Sequence, residues 1–281
     1  MRVWRLSLTC VLALGMTAAA LPAASAQSAT KERAPATQLH LALGDSVAAG
    51  VGASDPADTG YVPLLYEQLR DDLDCWPQPA PRCRSLHLQN LAVGGATTVS
   101  LIAGQLPAAV DLLEERNADR RPGNDVRVVT VTVGGNDVFR PVVDACETDP
   151  TAPGCIATVA AQLQQVATNL PVILAALVDA ADADATVAVM TYYNPLEACV
   201  LADLAQLADL VLEGGALPGG QVLPVGLNDI IRQSAAATGA VVAETFGALD
   251  TDDLVGGEDC LHPDDSGHRI IADAFAEPIV E

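Results

Sequence analysis

An α/β fold, a parallel sheet covered by helices, is predicted by three features of the chain. Stretches rich in Val, Leu and Ile alternate with helical patterns, and several of those stretches are apolar almost throughout, as strands buried on both faces are. Three of them also run into glycine or polar turns: Leu39 to Leu43 into Gly44-Asp45-Ser46, then Val93-Gly94-Gly95, then Val133-Gly134-Gly135-Asn136. In open α/β sheets ligands bind outside the carboxyl ends of the strands. These ends, with a late Asp259-Cys260-Leu261-His262, therefore describe one site assembled from distant pieces.

From the N-terminus, Arg2 and Arg5 precede an apolar run from Leu6 to about Leu21 that ends in Ala24-Ser25-Ala26, the pattern of a secretory signal peptide spanning residues 1–26 and cleaved before Gln27. The competing reading is a membrane anchor, for which the run is short. Cys10 follows Ser7-Leu8-Thr9, a poor lipid-attachment motif, so no stable membrane anchor is expected. Residues 27–37 are polar, small and proline-containing and read as a disordered lead-in. Residues 38–281 are then one domain, long and apolar enough for a single core.

Within it, strands are expected at Gln38 to Leu43, Leu86 to Val93, Val126 to Val133, Thr186 to Tyr192 and Ala240 to Thr245. Helices are expected at Tyr61 to Leu73, Leu106 to Asn117, Ile156 to Ala181, Leu227 to Ala237 and Ser266 to Ala276. Three segments fall outside this alternation: proline-containing loops at Trp76 to Arg84 and Arg140 to Gly154, and Leu196 to Leu223, a leucine-rich helical patch followed by paired glycines. A leucine stripe is ordinarily core; its place after the fourth strand also allows a mobile cover over an acyl site.

The net charge of −22 becomes −24 once Arg2 and Arg5 are removed, which argues against nucleic acid and anionic membranes as partners and otherwise favours solubility. Six cysteines remain after cleavage: Cys75, Cys83, Cys146, Cys155, Cys199 and Cys260. An even count in an exported chain argues for disulfides. There is no Cys-x-x-Cys pair and no second ligand at a recognisable spacing from His262, so no metal is expected. Of the possible pairings, proximity favours Cys75 with Cys83 and Cys146 with Cys155, leaving Cys199 with Cys260. Phosphate-loop and dinucleotide motifs are missing, since Gly50-Val51-Gly52 lacks the third glycine, and no cofactor is implied.

A serine nucleophile needs a base within hydrogen-bond reach, a carboxylate to orient that base, and donors for the oxyanion. His40 lies inside the first strand, far from Ser46 along it; His87 opens the second, remote from Gly95; His268 falls on the last helix. His262 alone follows the last strand in a loop, and Asp259, three residues earlier, is placed to reach its Nδ1. Asp45, the rival carboxylate, is adjacent to Ser46, where its simpler role is to hydrogen-bond the turn. The Ser46 N–H, the Gly95 N–H and the Asn136 side-chain amide are candidate oxyanion donors. Each glycine pair taken alone is explained by turn geometry; the set, in fixed order at successive strand ends, is not.

Gly44-Asp45-Ser46, Gly95 within Asn90-Leu91-Ala92-Val93-Gly94-Gly95-Ala96-Thr97, Gly134-Gly135-Asn136-Asp137 and Asp259-Cys260-Leu261-His262-Pro263 together resemble the SGNH/GDSL hydrolase superfamily. The resemblance spans nearly all of the mature chain. It implies a flavodoxin-like three-layer α/β/α sandwich on a five-stranded parallel sheet, and ester hydrolysis with Ser46 as nucleophile, Gly95 and Asn136 in the oxyanion hole, and Asp259 and His262 completing the triad. The signal segment and six cysteines look like those of secreted bacterial lipases and esterases of that superfamily. Val47 departs from the leucine of the family name, and no Gly-x-Ser-x-Gly elbow surrounds Ser46, which argues against an α/β-hydrolase. The expectation is a secreted, monomeric esterase or lipase acting on a small-molecule or lipid ester. The alternatives are a carbohydrate acetylesterase using the same residues and a secreted binding protein whose site does not turn over. Acyl-chain preference depends on loop conformation and stays open at this level.

Overall fold

The computed structural model describes residues 37–73, 85–118, 124–216, 220 and 222–280. In chain order the elements are β1 (Thr37–Gly44), α1 (Tyr61–Leu73), β2 (Ser85–Asn90), α2 (Thr98–Ala103), α3 (Gln105–Ala118), β3 (Val126–Thr132), α4 (Gly135–Cys146), α5 (Pro153–Ala180), β4 (Thr186–Met190), α6 (Ala205–Glu213), β5 (Gly215–Ala216), β6 (Val222–Leu223), α7 (Leu227–Thr238), β7 (Val241–Ala243) and α8 (Asp265–Val280). Strands β2-β1-β3-β4-β7 form one sheet in that order, every pair parallel, while β5 and β6 make a small antiparallel ribbon. The order reverses between β1 and β3, the switch point at which such sheets open a crevice beyond their strand ends. Ser46 and Asn136 follow those two strands.

Every β1 residue from Gln38 to Gly44 is buried, as a strand covered on both faces requires. Helices α1 and α8 pack together on one side of the sheet, where Tyr61 and Phe275 stack with ring centroids 5.1 Å apart. On the other side, α2, α3, α4 and α7 gather around α5. Helix α5 is long and apolar enough to cross a membrane by length and composition. Its apolarity has a core explanation: Val159, Leu163, Val166, Leu170, Ile173, Leu174 and Leu177 recur at helical spacing and are buried, while Gln164, Gln165 and Thr168 are exposed.

Apart from β1, which runs one residue past its expected end to Gly44, the strands stop short of their expected ends on the site side. Past β4 and β7 side chains take over from the ladder: the Tyr192 N–H donates to Asn228 Oδ1 (2.7 Å) and the Thr245 N–H to Thr191 Oγ1 (2.8 Å). Thr37, assigned to the lead-in, is instead the first residue of β1 and pairs with Ser85. The remainder of 1–26 and 27–36, like the Cys75 and Cys83 pair, lies outside the described residues.

The loop expected from Arg140 to Gly154 is a correction. Helix α4 runs through Pro141 to Cys146, and α5 begins at Pro153. Proline in a helix interior costs one backbone hydrogen bond; here Val138, Phe139, Val142 and Cys146 line a buried stripe, and the Cys146–Cys155 disulfide joins α4 to α5. Helix α2 was not expected either. Its start is a capping box in which Thr97 Oγ1 accepts from the Ser100 N–H (3.2 Å) and Ser100 Oγ accepts from the Thr97 N–H (2.9 Å). In the leucine-rich patch, α6 buries Ala205, Leu207, Ala208, Val211 and Leu212, and Asn194 Nδ2 donates to the Ala205 carbonyl and Asp209 Oδ1 (both 2.8 Å). The stripe is core.

Candidate active site

The turn after β1 is held from three directions. The Asp45 N–H donates to the Thr132 carbonyl at the end of β3 (3.0 Å), and the Gln105 amide brackets Gly44, accepting from its N–H and donating to its carbonyl (both 2.8 Å). Only glycine fits at 44: φ is +143°, and a Cβ would lie 2.3 Å from Thr132 Oγ1. The buried Asp45 carboxylate makes its hydrogen bonds to groups other than His262. Its Oδ1 accepts from the Val47 N–H (3.0 Å) and Thr132 Oγ1 (2.9 Å), and its Oδ2 accepts from Tyr192 Oη. Burial pushes its carboxyl above the ordinary range, opposed by those three donors. Asp45 thus ties the turn, as its adjacency to Ser46 suggested.

Ser46 Oγ lies 2.9 Å from His262 Nε2. On the other side of the ring, Nδ1 is 2.8 Å from Asp259 Oδ2 and 3.1 Å from Oδ1, and Oδ1 also accepts the Leu261 and His262 N–H groups (2.9 and 3.0 Å). The local turn therefore aims the carboxylate at the imidazole. Burial alone would raise the Asp259 carboxyl; the His262 ring and the two backbone N–H groups outweigh it and hold it below the ordinary range. The loop carrying both residues is tied to the start of the leucine-rich segment. Cys199 is bonded to Cys260, the Val200 N–H donates to the Gly257 carbonyl (2.9 Å), the Gly257 N–H donates to the Ala198 carbonyl (3.1 Å), and Tyr193 Oη donates to the Leu261 carbonyl (2.8 Å).

Asn136 stands in the first turn of α4 and lines the same cleft as Ser46; its Nδ2 donates to the Ala96 carbonyl (3.1 Å), leaving a second amide hydrogen without a partner among the described residues. Gly95 sits in an exposed loop with φ of +78°. That loop reaches the Ser46 turn through Val93, whose N–H donates to the Gly44 carbonyl (3.0 Å), and reaches Asn136 through Ala96. Neither the Ser46 nor the Gly95 N–H has an acceptor among the described residues. The other histidines stand apart. His40 is buried in β1 with Nε2 3.1 Å from Thr130 Oγ1, and burial pushes its pKa down to about 3. His268, on α8, accepts the Tyr61 N–H at Nδ1 and donates to the Val51 carbonyl from Nε2, and is held neutral chiefly by burial. His87 is exposed on β2. Among the described residues no cluster of three His, Cys, Asp or Glu could hold a metal.

Residues 42–270 match the profile of the GDSL-like Lipase/Acylhydrolase family. The chain belongs to this family. It is accordingly a carboxylic ester hydrolase, built on a five-stranded parallel sheet with helices on both sides. Among curated proteins, this GDSL-like hydrolase is 28% identical to Lipase 2 of Streptomyces coelicolor over 253 residues, 86% of this chain and 79% of that protein. Among solved structures, a lipase from a goat rumen metagenome has a TM-score of 0.58 at 18% identity, over 86% of this chain and 97% of its own. The extracellular lipase of Streptomyces rimosus has a TM-score of 0.54 at 19% identity, over 85% and 100%. At such identities the structural likeness concerns the fold.

Several residues of this GDSL-like site escaped the sequence reading. Phe139, Tyr192, Tyr193, Pro195 and Leu261 line the cleft beside Ser46. The tyrosine pair was legible in principle, because it follows the carboxyl end of the fourth strand in a chain with only four tyrosines. Phe139 was hidden by the loop assignment. Behind it a second, wholly apolar slit runs between α4 and α6, lined by Val138, Val142, Leu207 and Val211 among others, and Phe139 is the wall the two spaces share.

Proposed function

We propose that this family member hydrolyses its ester through a Ser46-His262-Asp259 triad. The observation that carries the reading is the unbroken chain of hydrogen bonds from Asp259 through His262 to Ser46, assembled across 216 residues of sequence. With Nδ1 donating to Asp259, Nε2 is the acceptor for the Ser46 hydroxyl proton, and Oγ attacks the ester carbonyl carbon. The resulting oxyanion is met by the Ser46 and Gly95 N–H groups and the free amide hydrogen of Asn136. His262 then passes its proton to the departing alkoxide, the C–O bond breaks, and Ser46 carries the acyl group. Water, deprotonated by His262, attacks that acyl-enzyme, and the acid leaves as Ser46 regains its proton.

The apolar slit behind Phe139 supports an acyl group as the part of the substrate that enters the protein. Phe139 stands between the cleft beside Ser46 and that slit, which favours short acyl groups. Export is part of the same proposal. It rests on the signal-like segment ending at Ala26 and on two disulfides among the described residues, which persist in oxidising compartments.

The test is covalent labelling. A serine-directed organophosphate adds one equivalent to the protein, mapped by peptide mass to Ser46, and Ser46→Ala takes none. Ser46→Ala and His262→Ala each lower kcat on p-nitrophenyl acetate by on the order of ten-thousand-fold, and the double variant is no worse. Labelling elsewhere, or near-normal turnover by either folded variant, overturns the assignment.

A further inference from the structure

We propose that Asp137 is a positioning residue for the oxyanion donors, holding the Gly95 loop and Asn136 in one frame. The inference rests on the proposed roles of Gly95 and Asn136. Asp137 is buried in the first turn of α4, directly after Asn136, where a carboxylate could serve its own helix N-terminus. Its hydrogen bonds go elsewhere. Oδ2 accepts the Thr98 N–H (2.8 Å), and Oδ1 accepts the Thr98 hydroxyl (2.6 Å) and Gln165 Nε2 (3.1 Å). Thr98 Oγ1 in turn accepts from Asn169 Nδ2 (2.9 Å), so the bracket is seated on α5. One carboxylate thus joins the first residue of α2, three residues after Gly95, to the first turn of α4, which contains Asn136.

This joint matters because the Gly95 loop has little else to hold it. Gly94 and Gly95 have nothing within 4 Å of where a Cβ would stand, and both are exposed. The Gly95 N–H is therefore placed by the loop's anchors: Val93 on Gly44, Ala96 on Asn136, and Thr98 on Asp137. The first fixes the loop to the nucleophile turn, and the other two fix it to the element that carries Asn136. An oxyanion donor acts only within hydrogen-bond reach of the developing charge, and a misplacement of about 1 Å costs on the order of a hundredfold in rate. Removing the bracket should let the two donors drift relative to each other while the bonds among Ser46, His262 and Asp259 remain.

The experiment places Asp137→Ala in the wild-type and Asn136→Ala backgrounds and measures kcat and KM on p-nitrophenyl acetate, with thermal melting of all four proteins. In the wild-type background kcat falls about tenfold to a hundredfold with KM changed less than about threefold. In the Asn136→Ala background the same substitution lowers kcat by less than about threefold, because a donor it aligned is gone, while the shift in melting temperature is the same in both. An equal fold loss of kcat in both backgrounds, or a loss confined to KM, overturns the proposal. If Asn136→Ala alone leaves kcat unchanged, the oxyanion assignment itself fails, which is a separate outcome. Should Asp137→Ala not fold, Thr98→Val removes one arm of the bracket and leaves the carboxylate in place. It must then show the same non-additivity with Asn136→Ala at several-fold size, and additivity there overturns the proposal equally.

Discussion

Tyr192 Oη donates to Asp45 Oδ2, so the segment just past β4 is bonded directly to the residue preceding Ser46. The tyrosine is itself fixed: its N–H and carbonyl are bracketed by the Asn228 side chain (2.7 and 2.8 Å), and its ring passes so close to Gly135 that a Cβ there would lie 2.6 Å from it. Burial raises the tyrosine's pKa and the neighbouring Asp45 carboxylate raises it further, so the phenol stays a proton donor. The turn carrying Ser46 and the turn carrying Asn136 thus rest on one aromatic side chain.

Tyr192→Phe keeps the ring and removes the donor. Loss of a buried hydrogen bond to a carboxylate costs on the order of 1–3 kcal/mol, read by urea unfolding at pH 7. Activity on p-nitrophenyl acetate should fall several-fold, since Asp45 also holds the Val47 N–H. Unchanged stability and kcat together would mean that Thr132 and Val47 suffice to seat Asp45.

Phe139→Ala joins the cleft beside Ser46 to the apolar slit along α4. The wild-type protein should prefer acetyl and butyryl esters, and the variant should raise the ratio of octanoyl to acetyl kcat/KM by about tenfold or more, since each buried methylene contributes about 0.8 kcal/mol. The helix should pay in stability, with truncation of a buried phenylalanine costing on the order of 3 kcal/mol. Parallel chain-length profiles for the two proteins would show that the slit is not open to substrate.

How far the site was legible follows from where its parts sit in the chain. That Ser46, Asp259 and His262 come within hydrogen-bond reach of one another was readable because each stands at a strand end or in a short turn, where spacing alone limits which groups can meet. Expected helix boundaries at Tyr61 to Leu73 match α1, and those of α3, α5 and α7 agree within three residues, because their apolar periodicity is strong. The helix α4 was not readable: Gly134-Gly135 and Pro141 are local turn signals, and what overrides them is burial of Val138, Phe139 and Val142, a tertiary effect. Tyr192 and Asp137 act through partners 147 and 39 residues away, and no local pattern announces such pairs.

His40 makes an acid-stability prediction. Its folded pKa is lowered to about 3 from 6.5, so above pH 6.5 both states are neutral and it adds nothing to pH dependence. As pH falls below 6.5 the unfolded chain takes a proton that the folded one refuses, and stability drops by about 1.4 kcal/mol per pH unit until about pH 3. His40→Gln removes this pH dependence. Urea unfolding at pH 7, 5.5 and 4 should show a shallower loss in the variant than in the wild type; equal slopes would mean that His40 can take up a proton inside β1.

The two described disulfides separate stability from activity. Cys199 and Cys260 are 61 residues apart and Cys146 and Cys155 only 9, so chain-entropy estimates give about 4 and about 2.6 kcal/mol. Position divides them more sharply, because Cys260 lies between Asp259 and His262 while Cys146 and Cys155 join two helices that carry none of Ser46, Asp259 and His262. The backbone bonds of Gly257 to Ala198 and Val200, and that of Tyr193 to Leu261, hold the same loop without the sulfurs, so the Cys199→Ala/Cys260→Ala variant should keep activity but lose several-fold in kcat. The Cys146→Ala/Cys155→Ala variant should lose stability with kcat within about twofold. The comparison is made at a temperature where urea titration shows both variants folded. A variant lacking Cys199 and Cys260 with wild-type kcat would show that the backbone bonds alone present the imidazole to Ser46.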